Sequence, residues 1–141
     1  MDPGPSSRQK GVKMQKLIKQ AISARSHAYC PYSGFQVGAA LECEDGTVFT
    51  GCNVENAAYG PSNCAERTAV FKAVSEGHRS FKRIAIVGGH EGENVAPTPC
   101  GVCRQVLSEF CDPSFEVIMA TGEEEYEVVT LGELLPRSFS L

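Results

Sequence analysis

Four residues of this chain, Cys64, Glu66, Cys100 and Cys103, have the types and spacing for metal-assisted proton chemistry. In Cys100-Gly101-Val102-Cys103 two thiols stand three residues apart, one helical turn, so both project to one side. Cys64 opens another helical pattern. Helix N-termini carry partial positive charge and unpaired N–H groups, which favour thiolate over thiol. Three thiolates from two helix starts can converge on Zn²⁺ and leave a fourth position open, the arrangement of a catalytic zinc. Glu66 then falls within reach of that position, where a carboxylate can carry a proton to and from bound water. Each piece also has a simpler meaning. A C-x-x-C pair serves thiol redox chemistry, a lone Cys is commonly a small buried hydrophobe, and Asn63-x-x-Glu66 resembles a capping box. A closed four-ligand zinc would need Cys111 or His90, and neither stands at a customary ligand spacing.

The elements that must carry these residues follow from periodicity. Met14, Leu17, Ile18, Ala21 and Ile22 mark one face of a helix over residues 11–28. Phe35, Val37, Ala39, Leu41 and Cys43 alternate as a strand, Glu44-Asp45-Gly46-Thr47 turns the chain, and residues 48–54 return. A second helix is expected from Ser62 or Asn63 to Val74, stopped at Gly77. Residues 83–87 form a buried strand, followed by a polar loop over 90–96. Thr98 as cap and Pro99 at the first helical position open a third helix that runs to Phe110. Strands over 115–120 and 126–129 and a short helix over 131–135, capped by Thr130, complete the pattern. This order implies a mixed sheet covered by helices, an α/β layered domain.

At 141 residues the chain has the length of one domain, with 1–12 expected as a flexible N-terminus and 13–141 as a single domain. The net charge of −4 argues against a nucleic-acid partner, because phosphate binding needs a clustered basic surface. No stretch approaches the roughly 20 apolar residues of a membrane span, and the opening residues lack a signal-peptide pattern. Seven cysteines, an odd count, favour reduced thiols and metal ligation over disulfides, with the cytoplasm as the expected compartment.

Cys64-Ala65-Glu66 followed by Pro99-Cys100-Gly101-Val102-Cys103 matches the paired signature of zinc nucleobase deaminases. From about Met14 to Phe139 the chain resembles the cytidine deaminase family. The resemblance runs through Tyr29-Cys30-Pro31-Tyr32-Ser33, Phe35, residues 37–40, 51–57, 64–69 and 99–106, then Glu133-Leu134-Leu135-Pro136 and Phe139. Three cysteines, in place of one His and two Cys, match the family's small homotetrameric branch. Ala58 departs from the pattern, standing where many small members carry Cys or Ser.

The resemblance implies a three-layer α/β/α fold with a mixed five-stranded sheet and one Zn²⁺ per chain on Cys64, Cys100 and Cys103. It implies hydrolytic deamination of cytidine and deoxycytidine to uridine and deoxyuridine, with release of ammonia, in pyrimidine salvage. Glu66 would be the proton shuttle. Asn53 and Glu55, separated by one residue at a strand end, would take the ribose, Phe35 would lie against the base, and the Ala65 backbone near the base edge. Tyr59 joins the substrate contacts as a lesser candidate, beside Tyr32. Arg67 or Arg104 could donate hydrogen bonds to the thiolates and offset their charge. Phe139 would cross a subunit boundary in a homotetramer whose sites are completed by neighbouring chains.

Overall fold

The structure of the protein is a computed structural model that describes residues 7–141. Alternating small and apolar residues make the centre of the sheet. Gln36–Cys43 (β1) turns through Gly46, at φ +91°, and pairs antiparallel with Val48–Cys52 (β2). On its other side β1 pairs antiparallel with Phe81–Gly89 (β3), which is parallel to Glu116–Ala120 (β4). Tyr126–Thr130 (β5) pairs antiparallel with β4, so the five strands run in the order β2-β1-β3-β4-β5.

Helices cover both faces. On one, the helix Ser7–Arg25 (α1) buries Met14, Leu17, Ile18 and Ala21 against Ala40, Ala85, Val87 and Ile118. On the other, Ala65–Ser75 (α2), Gly101–Phe110 (α3) and Leu131–Leu134 (α4) bury Ala69, Val70, Ala73, Leu107 and Leu131 against Ala39, Leu41, Ile84, Ile86 and Val117. This is the three-layer α/β/α arrangement with a mixed five-stranded sheet. Arg83, nearly buried, joins three strands by ion pairs to Glu42 and Glu116, each at 3.2 Å.

Several boundaries move from their expected places. The first helix begins at Ser7, so residues 7–12 of the segment expected to be flexible are helical, while residues 1–6 lie outside the described residues. It ends at Arg25, after which Ser26, His27 and Ala28 continue in i→i−3 turns, while the Arg25 guanidinium binds the carbonyls of Gly89, His90 and Glu93 and the side chain of Asn94. Helices α2 and α3 start later than expected, with Cys64 and Cys100 as their N-caps. Asn63 caps nothing; its amide donates to Thr68 Oγ1 at 3.1 Å. Thr98 and Pro99 lie outside the helix, and Arg104 reaches back to hold them, donating to Pro99 O at 2.7 Å and Thr98 Oγ1 at 2.8 Å.

Two glycines set how closely helices approach the sheet. A Cβ on Gly38 would lie 2.1 Å from Ala21 O of α1, and one on Gly51 would lie 2.5 Å from Ala65 O and 2.6 Å from Ala69 N of α2. Gly51 therefore fixes the height of α2 above β2, and Lys72 adds a hydrogen bond to Thr50 O. Gly51→Ala is expected to push the first turn of α2 off the sheet and to lower unfolding stability by about 1–3 kcal/mol, the usual cost of overpacking. Urea unfolding checks this, and an unchanged midpoint would show that α2 can retreat freely.

Candidate active site

Cys64 and Cys100 occupy equivalent places, each the extended N-cap of a helix, and Cys103 is the third residue of α3. The chain before Cys64 is stitched to the sheet by paired backbone hydrogen bonds between Val54 and Asn63, both 2.9 Å. The chain before Cys100 follows the loop that Arg25 clamps. Both helix starts therefore point at one spot beyond the end of β2. There the sulfurs of Cys64 and Cys100 lie 3.7 Å apart and those of Cys100 and Cys103 3.5 Å apart, with all three within 4.8 Å of one another.

These separations suit zinc. With Zn–S bonds of ~2.3 Å, the edge of a tetrahedron is about 3.8 Å. The electrostatics agree with such a donor set. Hydrogen bonds from Cys103 foremost, then Arg67 and Cys100, pull the Cys64 thiol down to about 5 against the effect of burial. Cys103 is pushed the other way because it holds the shared proton and is itself buried. Arg67 donates from Nη2 to Cys64 Sγ at 3.2 Å, and its Nε is buried without an acceptor. A guanidinium with a donor to spare fits a cluster that gains negative charge when it ligates. Arg104 does not share this task; its donors go to Pro99 O, Thr98 Oγ1 and Leu134 O.

Glu66 is 4% exposed and faces the same spot. Burial, with the Cys64 thiolate adding, pushes its carboxyl up to about 7, near the pH at which a group can both take and give a proton. In front of it opens a cavity of about 380 Å³, within the usual range for small-molecule sites. Phe35, Val37, Pro97 and Ala65 provide its apolar lining, and Asn53, Glu55, Cys64, Cys100, Glu66 and Arg67 its polar groups.

The structure brings Cys64, Cys100, Cys103, Glu66, Arg67, Phe35, Asn53, Glu55 and Ala65 together. Tyr59 lines the same cavity but is almost wholly exposed. Phe139 does not line it; it is 69% exposed, and its carbonyl accepts from Gln105 Nε2 at 3.3 Å. Sequence reasoning missed Ser33. Its hydroxyl donates to Glu55, and its N–H and that of Tyr32 donate to the same carboxylate at 3.1 and 3.0 Å. These bonds hold Glu55 below the usual carboxylate range. No spacing linked residues 33 and 55; the Tyr29–Val54 bridge and the bonds of Asn53 to Phe35 O and Val37 N bring their segments together.

Comparison with known proteins places this geometry. The family described as the cytidine and deoxycytidylate deaminase zinc-binding region matches residues 12–119. The chain is 53% identical to the cytidine deaminase of Sporosarcina psychrophila over 127 residues, 90% of this chain and 91% of that protein. It is 51% identical to that of Halalkalibacterium halodurans, covering 89% and 93%. Among solved structures, cytidine deaminase from Burkholderia pseudomallei superposes with a TM-score of 0.81 at 49% identity, over 88% of this chain and 97% of that one.

If the three thiols act as one donor set, Cys103→Ser loses tightly held zinc while wild type retains about one ion per chain after dialysis. Elemental analysis of both proteins decides it; full zinc in the variant would remove Cys103 from the ligand set.

Proposed function

The chain belongs to the cytidine deaminase family, with zinc as its cofactor, and from that premise we propose that it converts cytidine and deoxycytidine to uridine and deoxyuridine, releasing ammonia, in pyrimidine salvage. The observation that carries this reading is the buried Glu66 carboxyl beside three convergent thiols at the floor of a nucleoside-sized cavity. Zinc, when held by Cys64, Cys100 and Cys103, supplies a Lewis acid that makes water acidic enough to react near neutral pH.

The chain's own residues do the rest. Phe35, with Val37 and Pro97, takes the flat base, and the Ala65 backbone meets its edge. Glu55 accepts from a sugar hydroxyl and Asn53 offers its remaining amide valences beside it. Glu66 takes a proton from water as oxygen adds at C4 and gives it to N3. It then moves the remaining hydroxyl proton from the oxygen on C4 to the amino group, so that the C4–N bond breaks, ammonia leaves and C4 becomes a carbonyl. Arg67 spreads the thiolate charge, which would otherwise weaken the acidification of water. Acidic Glu55, in a chain of net charge −4, disfavours a 5′-phosphate and so selects the free nucleoside.

Assembly and place belong to the same proposal. Tyr59 and Phe139 are large apolar side chains left exposed, one at the cavity mouth and one on the chain end. A homotetramer in which Phe139 closes a neighbour's site would bury both and exclude water from the reaction. Among the described residues no helix is long and apolar enough to cross a membrane, and the seven cysteines are free, which supports a cytoplasmic enzyme.

Two outcomes follow. Glu66→Gln keeps its zinc and binds cytidine, but turnover falls by about 10²–10⁴, the usual worth of positioned acid–base catalysis. Stopped assays of cytidine absorbance on the zinc-loaded variant measure this, and near-normal turnover would reduce Glu66 to a structural residue. Phe139→Ala raises KM and lowers kcat/KM with zinc content unchanged. Light scattering that shows a fully active monomer at assay concentration would defeat the shared-site arrangement.

A further inference from the structure

The cavity at the N-terminus of α2 leaves a second group of donors, at the other end of that helix, without a function. Cys43 closes β1, Asp45 lies in the turn that follows, and His78 stands just beyond the C-terminus of α2. One ligand atom from each, the thiol sulfur, a carboxylate oxygen and a ring nitrogen, all lie within 4.8 Å of one another. We propose that Cys43, Asp45 and His78 form a second metal site, for a borderline divalent cation such as Zn²⁺, independent of the three catalytic thiols.

The separations fit shared ligation of one ion. His78 Nδ1 and Asp45 Oδ2 are 3.6 Å apart. That is longer than a hydrogen bond, though within ion-pair range. Two such ligands on tetrahedral zinc would be about 3.3 Å apart, and a sulfur and a nitrogen ligand about 3.6 Å. One sulfur, one nitrogen and one oxygen suit zinc or cobalt and not magnesium or calcium, which take oxygen ligands.

The three side chains are mounted on fixed backbone. Asp45 Oδ1 accepts from Thr47 N at 3.0 Å, leaving Oδ2 toward His78. Cys43 N donates to Thr47 O at 2.8 Å, and Gly46 N donates to Cys43 O at 2.9 Å. His78 N donates to Ala73 O at 2.9 Å, and its ring packs edge-on to Phe49 with centroids 5.0 Å apart. Little order would have to be created on binding. The site also lies at the negative end of the α2 dipole, which favours a cation. Burial, with Asp45 and Glu42 adding, pushes the Cys43 thiol up to about 11, so an ion would displace one proton as it binds. Asp45 is largely exposed and gives the ion a path from solvent.

The test is equilibrium dialysis of the zinc-loaded protein against micromolar free Zn²⁺, followed by elemental analysis. Wild type should rise from about one to about two ions per chain. His78→Ala and Asp45→Asn should each stay at one with unchanged cytidine turnover. Co²⁺ added to the zinc-loaded protein should give a thiolate charge-transfer band in wild type that is missing from His78→Ala and from Cys43→Ala. A wild type that saturates at one ion, or variants that take up the second as wild type does, would overturn the proposal and leave Asp45 and His78 as an ion pair only. Because the readout is the difference between wild type and His78→Ala, it stands whether or not the deaminase reading holds.

Discussion

Three sulfurs within a few ångströms of one another form a cluster that must be surrounded by positive charge before it can ligate an ion. Much of the fold can be understood as meeting that requirement. Two helices begin at the cluster, so their unpaired N–H groups face it. Arg67, one turn past Cys64, lays its guanidinium against the sulfur at 3.2 Å. Arg25 and Arg104 act at one remove, holding the loop and the extended segment that deliver Cys100 to its place. Gly51 then sets the height of the first of these helices over the sheet.

The same packing produces the unusual carboxyl. Glu66 is on the buried side of α2, between Ala65 and the row formed by Ala69, Val70 and Ala73, all fully buried. Nothing in an amphipathic helix pattern calls for an acid on that side. Burial raises its pKa to about 7, a perturbation of the kind that clusters at functional sites. Moving Glu66 one position along the helix would turn it some 100° away, toward solvent or the core. The two-residue spacing from Cys64 is therefore a geometric requirement and not a loose motif.

Much of this was legible in the sequence. Strand alternation around Val37–Leu41, the hairpin at Gly46 and the apolar face of α1 follow from local periodicity, and the structure has them. The thiols and Glu66 were legible because helix geometry converts spacing into direction. What was not legible depended on contacts between distant segments. Thr98 and Pro99 look like a helix start, yet the helix begins only at Gly101 and Arg104 holds them outside it. Asn63 looks like a cap, yet its backbone is committed to Val54 and its side chain to Thr68. Arg67 and Arg104 each follow a motif cysteine, and only the folded arrangement tells which one reaches sulfur.

The polar side of the cavity shows a further economy. Asn53 Oδ1 accepts from Val37 N at 2.8 Å and its Nδ2 donates to Phe35 O at 2.8 Å, so the amide that would meet the sugar also pins the start of β1 and Phe35 just before it. Glu55 is held by two N–H groups and the Ser33 hydroxyl, and that hydroxyl also accepts from Phe35 N at 3.0 Å. Each side chain is thus oriented by backbone before any ligand arrives and has limited hydrogen-bonding capacity left to offer. A ligand meeting them would lose little affinity to ordering the site, because the protein is already arranged. Base and sugar contacts are therefore parts of one rigid unit built on residues 33–37 and 53–55, and a change at either end should be felt at the other.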